Sequence, residues 1–455
     1  MTESEESNHL FKYIGLRSAT GLVVASMIGA GIFTSTGFQA ADLGHPGIIY
    51  GLWLIGGLLA WCGALCFAEL GAAMPEAGGE YIYIRETYGQ LWAFVGAVLS
   101  LTAGFSAPIA AVLKSMAVYL GNFVPILQEN PDLFLGLSTH NAFAIAVTWI
   151  MVGIHTSGVR GGMGFNNVVT FVKIVGIILV ILFAFLFGKG DWNQVTAVSP
   201  VYETLSWADI SAYSATSLVF VSFCYLGWNG SAYVASELKD PQTVLPRSLL
   251  LGTGLVTVLY LGLNVVFFYA SGAENLAGEL EVGTIAGQAL FGNAGGNWII
   301  ALVILCMVGS ASSMTITGGR IYYAFGEDFP PLKVFAKVSA KTGAPWPALV
   351  LQGVVTTLFV VSGRVDQIIQ YCGFSLTLYA SVAVGSVIIL RIKRPDMPRP
   401  FKTWGYPFTP IFFLAVSLWT IVWAIKGRPV ESLSAFATVV AAGGLFYVLK
   451  QKSDA

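Results

Sequence analysis

Three stretches of the sequence combine residue types and spacings that could do chemistry. Residues 26–33 read SMIGAGIF, residues 220–231 read FVSFCYLGWNGS, and Lys173 interrupts the apolar run VVTFVKIVGIILVILFAF. The first two place glycines, and the second also asparagine and serine, inside long apolar runs, although a glycine costs roughly 1 kcal/mol relative to alanine in a helix interior. Where a helix unwinds, the half that starts anew presents free N–H groups and partial positive charge, which suit a carboxylate. The half that ends presents free carbonyls, which suit an ammonium. Two such breaks side by side would hold a zwitterionic head group, such as that of an amino acid, with backbone alone.

Lys173 is the third element. A lysine near the centre of a membrane helix costs about 2.5–3.5 kcal/mol even on the lower scales, so it is a functional candidate by default. The competing reading is that its four-carbon stem snorkels to the inner interface. A functional ammonium could stand in for a bound sodium ion by bonding the carbonyls that a helix break exposes. If it loses and regains its proton during a cycle, proton symport follows; if it stays charged as a strut, exchange or uniport follows. For Lys114, two turns from the external end of its run, snorkelling is the favoured reading.

These residues need a membrane around them. The chain has 455 residues, 56% hydrophobic and 10% charged, with a mean hydropathy of +0.74. A soluble domain carries about 25% charged residues, so this chain must be solvated mostly by lipid. The net charge of -1 offers no basic face for nucleic acid. All five cysteines (Cys62, Cys66, Cys224, Cys306 and Cys372) lie in apolar runs, so no disulfide framework is expected. The start, MTESEESNHLFKYIG, is acidic and polar, unlike a cleavable signal peptide, so the first span is expected to be retained.

About 20 apolar residues cross the hydrocarbon core as a helix. Windows of that length predict about twelve spans, near 17–40, 47–73, 89–121, 140–157, 164–187, 209–235, 249–271, 296–324, 345–362, 368–390, 408–426 and 431–449. With the N-terminus inside, 17 of the 23 lysines and arginines fall in inner loops and tails. Four fall outside (Lys189, Arg364, Lys426 and Arg428), and Lys114 and Lys173 lie within spans. The positive-inside rule thus places both termini in the cytoplasm. The loops are too short for a soluble domain.

The two interrupted segments fall in spans 1 and 6, each the first of five when the chain is halved. Interruptions in corresponding positions of two halves point to a transporter substrate site, and an odd number of spans per half makes the repeat inverted. The implied units are 1–190 (spans 1–5), 205–392 (spans 6–10) and 405–455 (spans 11 and 12 with a cytoplasmic tail). For span 1 alone, close helix packing through small residues explains the glycines equally well.

SMIGAGIF, FAELGAAMPEAGGEYIYIRETYG at 67–89, FCYLGWNGSAYVASELKDPQTVLPRS at 223–248 and RPFKTWGYP at 399–407 together resemble the amino acid–polyamine–organocation (APC) superfamily. Within it they are most similar to the L-type amino-acid transporters and their bacterial relatives. The resemblance implies an all-α membrane protein with a LeuT-type 5+5 inverted repeat, discontinuous helices 1 and 6, two extra C-terminal helices, and alternating access about a central amino-acid site. It implies that Gly29, Ala30 and Gly31 form the carboxylate-binding turn and that Phe223 is an aromatic gate. Carbonyls of Ile28, Phe223, Cys224 and Leu226 would take the ammonium, with Trp228 and Asn229 beside the side-chain pocket. Lys173 matches the family lysine that contacts spans 1 and 8, which makes Ser310, Ser312 and Ser313 of span 8 its coupling candidates.

Three departures matter. The family usually has serine at Ala30, so one hydroxyl to the carboxylate is missing and backbone must suffice. The family's Asn-Gly in span 8 is Ser312-Ser313 here, which leaves the lysine's partner open. Animal members couple to a single-span glycoprotein through a cysteine in the span 3–4 loop; 122–139 has none, so no disulfide-linked heavy chain is expected.

No Asp or Glu occupies a mid-span position of spans 1, 3, 6, 8 or 10, which favours a neutral substrate over a cationic amino acid or polyamine. Leu226, in place of a usual glycine, hints at a reduced pocket and a small side chain. Glu69 and Glu237, near inner span ends, read as structural partners of basic loops. Most of the tryptophans and tyrosines, including Tyr81, Tyr83, Trp192, Trp207 and Trp404, read as interface belts. The segment EAGGEYIYIRETYG reads as an amphipathic helix at the inner interface, or as part of an intracellular gate. His9, His45, His140 and His155 show no metal-ligand spacing. No nucleophile–base set or phosphate-cradling loop is present, so neither an enzyme, a cofactor nor ATP-driven transport is indicated. The overall expectation is an exchanger or proton-coupled symporter of neutral L-amino acids in the plasma (inner) membrane. The alternatives are a cationic antiporter and a sensor that binds without transport.

Overall fold

The computed structural model describes residues 12–134, 136–427 and 429–454. The acidic start of the chain, with His9, and one charge assigned outside, Arg428, lie beyond them. Each of the twelve apolar segments is helical, because a backbone in hydrocarbon must satisfy its own hydrogen bonds. Among the described residues eight helices are long and apolar enough to cross a membrane, and nine when the pair Leu16–Met27 and Ile32–Leu43, bent by 41°, counts as one span. Thr139–Ser157, Trp207–Cys224 and Trp346–Ser362 take the places of spans 4, 6 and 9. Large apolar side chains remain on the outside, such as Phe171 at 69% and Val440 at 74% exposure. Only lipid solvates such a surface.

Charges at one end of the bundle lock span ends together. Glu69 at the end of span 2 accepts from Arg391 at 2.6 Å and from the backbone N–H of Thr403 at 2.7 Å, with Arg399 at 3.3 Å. The RPFKTWGYP stretch is thus folded around one carboxylate. Glu237 pairs with Arg320 of span 8 at 2.8 Å, both buried. Arg85 reaches Asp328 at the end of span 8 at 2.8 Å.

One expectation needs correction. The helix Glu80–Tyr88 after EAGG does not lie flat at an interface: Glu80, Tyr81, Ile82, Tyr83 and Ile84 are all buried. The positive φ of Gly78 (108°) and Gly79 (56°) turns the chain inward, so Tyr81 and Tyr83 belong to the bundle rather than to a belt. Trp192, Trp207 and Trp404 are exposed. Lys114 is half-buried and reaches towards the end of span 9. Its ammonium donates to the carbonyls of Val360 at 3.0 Å and Gly363 at 2.6 Å, capping the end of span 9, where free carbonyls attract a cation.

Candidate functional site

Span 1 breaks between Met27 and Ile32. Ile28 still donates to Val24, but among the described residues the N–H groups of Gly29, Ala30, Gly31 and Ile32 have no acceptor. Free donors at the start of a helix are a general feature of anion sites. The two glycines have different neighbours. A Cβ on Gly29 would lie 3.5 Å from Ser310 Oγ, an ordinary contact, whereas one on Gly31 would lie 2.6 Å from Cys224 Sγ. Gly31 therefore sets how closely spans 1 and 6 approach.

Span 6 ends as an α-helix at Cys224 and resumes as a 3-10 helix over Gly230–Glu237. Gly227 in the turn has φ +94°, and a Cβ there would lie 2.4 Å from Ser26 Cβ. Only glycine fits that conformation and contact. The two breaks meet at Tyr260 of span 7. Its hydroxyl is 2.7 Å from the carbonyl of Met27 and 2.9 Å from that of Cys224, so one proton serves the last turn of both half-helices. The carbonyl of Phe223 accepts from Leu226 at 3.1 Å, while that of Leu226 has no partner among the described residues. The Phe223 ring, half-buried, packs against Ala107, Ala111, Ile368 and Cys372.

Lys173 is fully buried, which excludes snorkelling in this conformation. Its ammonium donates to Ala25 and Ile28 carbonyls, each at 3.0 Å, so the carbonyl of Ile28 is already engaged by the lysine. A Cβ on Gly309 of span 8 would lie 3.2 Å from the ammonium nitrogen. The span 8 serines turn elsewhere. Ser310 donates to the carbonyl of Ser26 at 3.4 Å, Ser313 to that of Leu22 at 2.9 Å and lies 2.6 Å from Ser26 Oγ, and Ser312 meets His155 Nε2 at 3.1 Å. Ser310 and Ser313 brace span 8 against span 1, and Ser312 ties it to span 4; none of the three meets the lysine.

A cavity lies beside the break in span 6. Leu226, Trp228 and Asn229 line it, together with Ser26, Phe105 and Glu80. The turn Gly29–Gly31 and Phe223 do not border it; the cavity is on the side of the breaks where the Glu80–Tyr88 helix lies. Trp228 is largely buried against Phe67, ring centroids 4.7 Å apart. Span 3 passes the cavity as a π-helical turn over Ser100–Ser106. Such turns are frequent at functional sites.

Sequence reasoning missed Tyr260 and Glu80. A tyrosine in an apolar run carries no sign of which carbonyl it will reach. Glu80 sits in a polar stretch, EAGGEYIYIRE, where a carboxylate looks solvated. Among the described residues no group of three His, Cys, Asp or Glu side chains could hold a metal, and the five cysteines are free thiols.

Comparison with known proteins bears on the whole chain. Residues 14–446 match the family model described as amino acid permease. The b(0,+)-type amino acid transporter 1 of Mus musculus is 28% identical over 460 aligned residues, covering 98% of this chain and 91% of that protein. The human large neutral amino acids transporter small subunit 2 is 29% identical over 423 aligned residues, covering 92% of this chain and 77% of that protein. These relatives are transporters, not enzymes. A helical bundle solvated by lipid, with two helices broken side by side and a family match over nearly its full length, is an integral membrane protein, and the chain belongs to the amino acid permease family of the APC transporters.

Proposed function

We propose that the chain carries neutral, preferably small, L-amino acids across the plasma (inner) membrane by alternating access, as an exchanger or proton-coupled symporter, with both termini cytoplasmic. The observation that carries this reading is the run of acceptorless N–H groups from Gly29 to Ile32, next to the carbonyl end of span 6. Ala30 contributes no hydroxyl, so the carboxylate would be held by backbone. The ammonium would meet the free carbonyl of Leu226 and the second lone pairs of Phe223 and Cys224. The 5+5 division of the chain, at 1–190 and 205–392, supplies the two bodies that would rock about this site.

A second reading has one observation in its favour. Glu80 lines the cavity, and a carboxylate there suits a cationic side chain; one relative is named a b(0,+)-type transporter. Both of its oxygens are, however, engaged by protein donors. The other relative is named a small subunit. A disulfide to a partner is not part of our reading, because 122–139 has no cysteine.

Counterflow in proteoliposomes tests the proposal. Labelled alanine or leucine should accumulate against the same unlabelled amino acid. Flux of arginine or agmatine alone would transfer the assignment to the cationic reading, and binding without flux would make the protein a sensor.

A further inference from the structure

Glu80 differs from the other buried carboxylates at the inner-loop end of the bundle. Glu69 has Arg391 and Arg399, and Glu237 has Arg320. Glu80 is 3% exposed, yet among the described residues no lysine, arginine or histidine nitrogen lies within 4.0 Å of it. One of its oxygens accepts from the hydroxyl of Tyr233, and the other accepts from Asn229 Nδ2 at 3.2 Å. Asn229 also donates to the Tyr233 oxygen at 2.9 Å. Asn229 closes the break in span 6 and Tyr233 lies in the 3-10 helix that follows it. Glu80 thus ties the loop helix 80–88 to the interrupted helix and forms part of the cavity wall.

The groups that face it carry no compensating charge. Tyr83 lies on its own helix, Tyr233 on span 6 and Tyr379 on span 10; Phe67, Phe105 and Thr317 come from spans 2, 3 and 8. Arg85, on the same helix, is turned to Asp328, Glu76 and Glu86. A carboxylate without a cation is costly to bury, whereas a carboxylic acid with hydrogen-bond partners is not. Burial pushes this carboxyl up to about 7, against the opposing hydrogen bonds from Tyr233 and Asn229.

We propose that Glu80 is a protonatable latch on the cytoplasmic side of the site: protonated, it stays sealed against Asn229 and Tyr233, and on losing its proton it favours withdrawal of the loop helix, so that opening toward the cytoplasm releases one proton. This rests on the transport reading and adds to it a residue that couples the inner gate to pH. The sign follows from linkage. In water a glutamate titrates near about 4.3, so between there and about 7 the sealed form binds more protons than the open form. Sealing therefore strengthens as pH falls through that window, approaching about tenfold in the equilibrium per pH unit. That advantage is lost as pH rises through about 7.

The test is counterflow of labelled leucine by the full chain, with pH equal on both faces and varied from about 8 to about 5.5 across the carboxyl window. Wild-type flux at the alkaline end establishes transport independently of the latch. The expected wild-type profile falls on the acid side of about 7. Glu80→Gln, which imitates the protonated group, should remain slow and flat across the range. Asn229→Ala removes a donor that favours the carboxylate, so it should move the acid limb to higher pH. A wild-type profile without an acid limb overturns the latch. So does an unaltered limb in Glu80→Gln, or, if that variant fails to fold, an unmoved limb in Asn229→Ala. Loss of arginine exchange in Glu80→Gln, with the leucine profile unchanged, would instead make Glu80 a side-chain selector and also overturn the latch.

Discussion

The ammonium of Lys173 donates to the carbonyl of Ile28 at 3.0 Å, at the residue where span 1 leaves its helix. With its second bond to Ala25, the lysine satisfies carbonyls that the break strips of their helical donors. It ties span 5 to span 1 in this conformation, and the span 8 backbone at Gly309 closes over it. Each bond from a charged donor contributes about 1.5–3 kcal/mol. Lys173→Ala should therefore lower exchange by about tenfold or more, since 1.4 kcal/mol is about a factor of ten. Exchange at the wild-type rate in proteoliposomes would remove this tie from the mechanism.

The approach of the two breaks rests on Gly31 and Cys224. A methyl on Gly31 would come within 2.6 Å of the thiol sulfur, while one on Gly29 would make an ordinary contact with Ser310. Overpacking of this kind costs about 1–3 kcal/mol. Gly31→Ala should weaken substrate affinity by roughly tenfold or more, and Gly31→Val should abolish it. Gly29→Ala avoids the sulfur contact but adds a methyl to the proposed carboxylate-binding turn, so any loss of affinity in it should not respond to Cys224→Gly. Combining Gly31→Ala with Cys224→Gly frees the space, so affinity should return. Thermal-shift titration with the transported amino acid measures all four, and absence of rescue in the double variant would show that the sulfur contact is not what limits Gly31.

Tyr260 makes a parallel case for backbone ends. Its hydroxyl lies between the carbonyls of Met27 and Cys224, and Tyr260→Phe leaves both buried and short of a donor. The cost of unsatisfied buried acceptors is about 1–3 kcal/mol. The variant should fold with a lower unfolding midpoint and exchange more slowly, because the two half-helices lose their common tie. An unchanged midpoint in a calorimetric scan would mean that water replaces the hydroxyl.

What was legible in the sequence follows from the solvent. In lipid, a run of about 20 apolar residues has one viable conformation, so the twelve segments could be read directly. A glycine pair or a lysine in such a run is costly enough to mark a site, and this exposed the breaks and Lys173. Glu80 carried no such mark. In EAGGEYIYIRE a carboxylate looks solvated, and only the inward turn at Gly78 and Gly79 buries it beneath span 6. The partners of Lys114 were hidden for a related reason. Stem length says how far an ammonium can reach, but its acceptors at Val360 and Gly363 come from a helix more than two hundred residues away. The π-helical turn at Ser100–Ser106 depends on packing in the bundle and has no counterpart in residue type.

The pair Glu237–Arg320 allows structural and functional charge to be separated. Both side chains are buried, with Arg320 Nε 2.8 Å from one carboxylate oxygen and Nη2 3.2 Å from the other. Arg320 also donates to the carbonyl of Ile316 at 3.0 Å. Removing one partner strands the other charge, which costs about 3–5 kcal/mol, while replacing both with apolar residues is often neutral or stabilising. Glu237→Gln should thus lower the yield of monodisperse protein and its unfolding midpoint sharply. The double variant Glu237→Leu with Arg320→Met should recover both. If it recovers stability and also transports at the wild-type rate, the pair is purely a clamp between spans 6 and 8. Recovered stability with lost exchange would mean that the pair must break during the cycle, since an apolar clamp holds the same ends together without a charge to release.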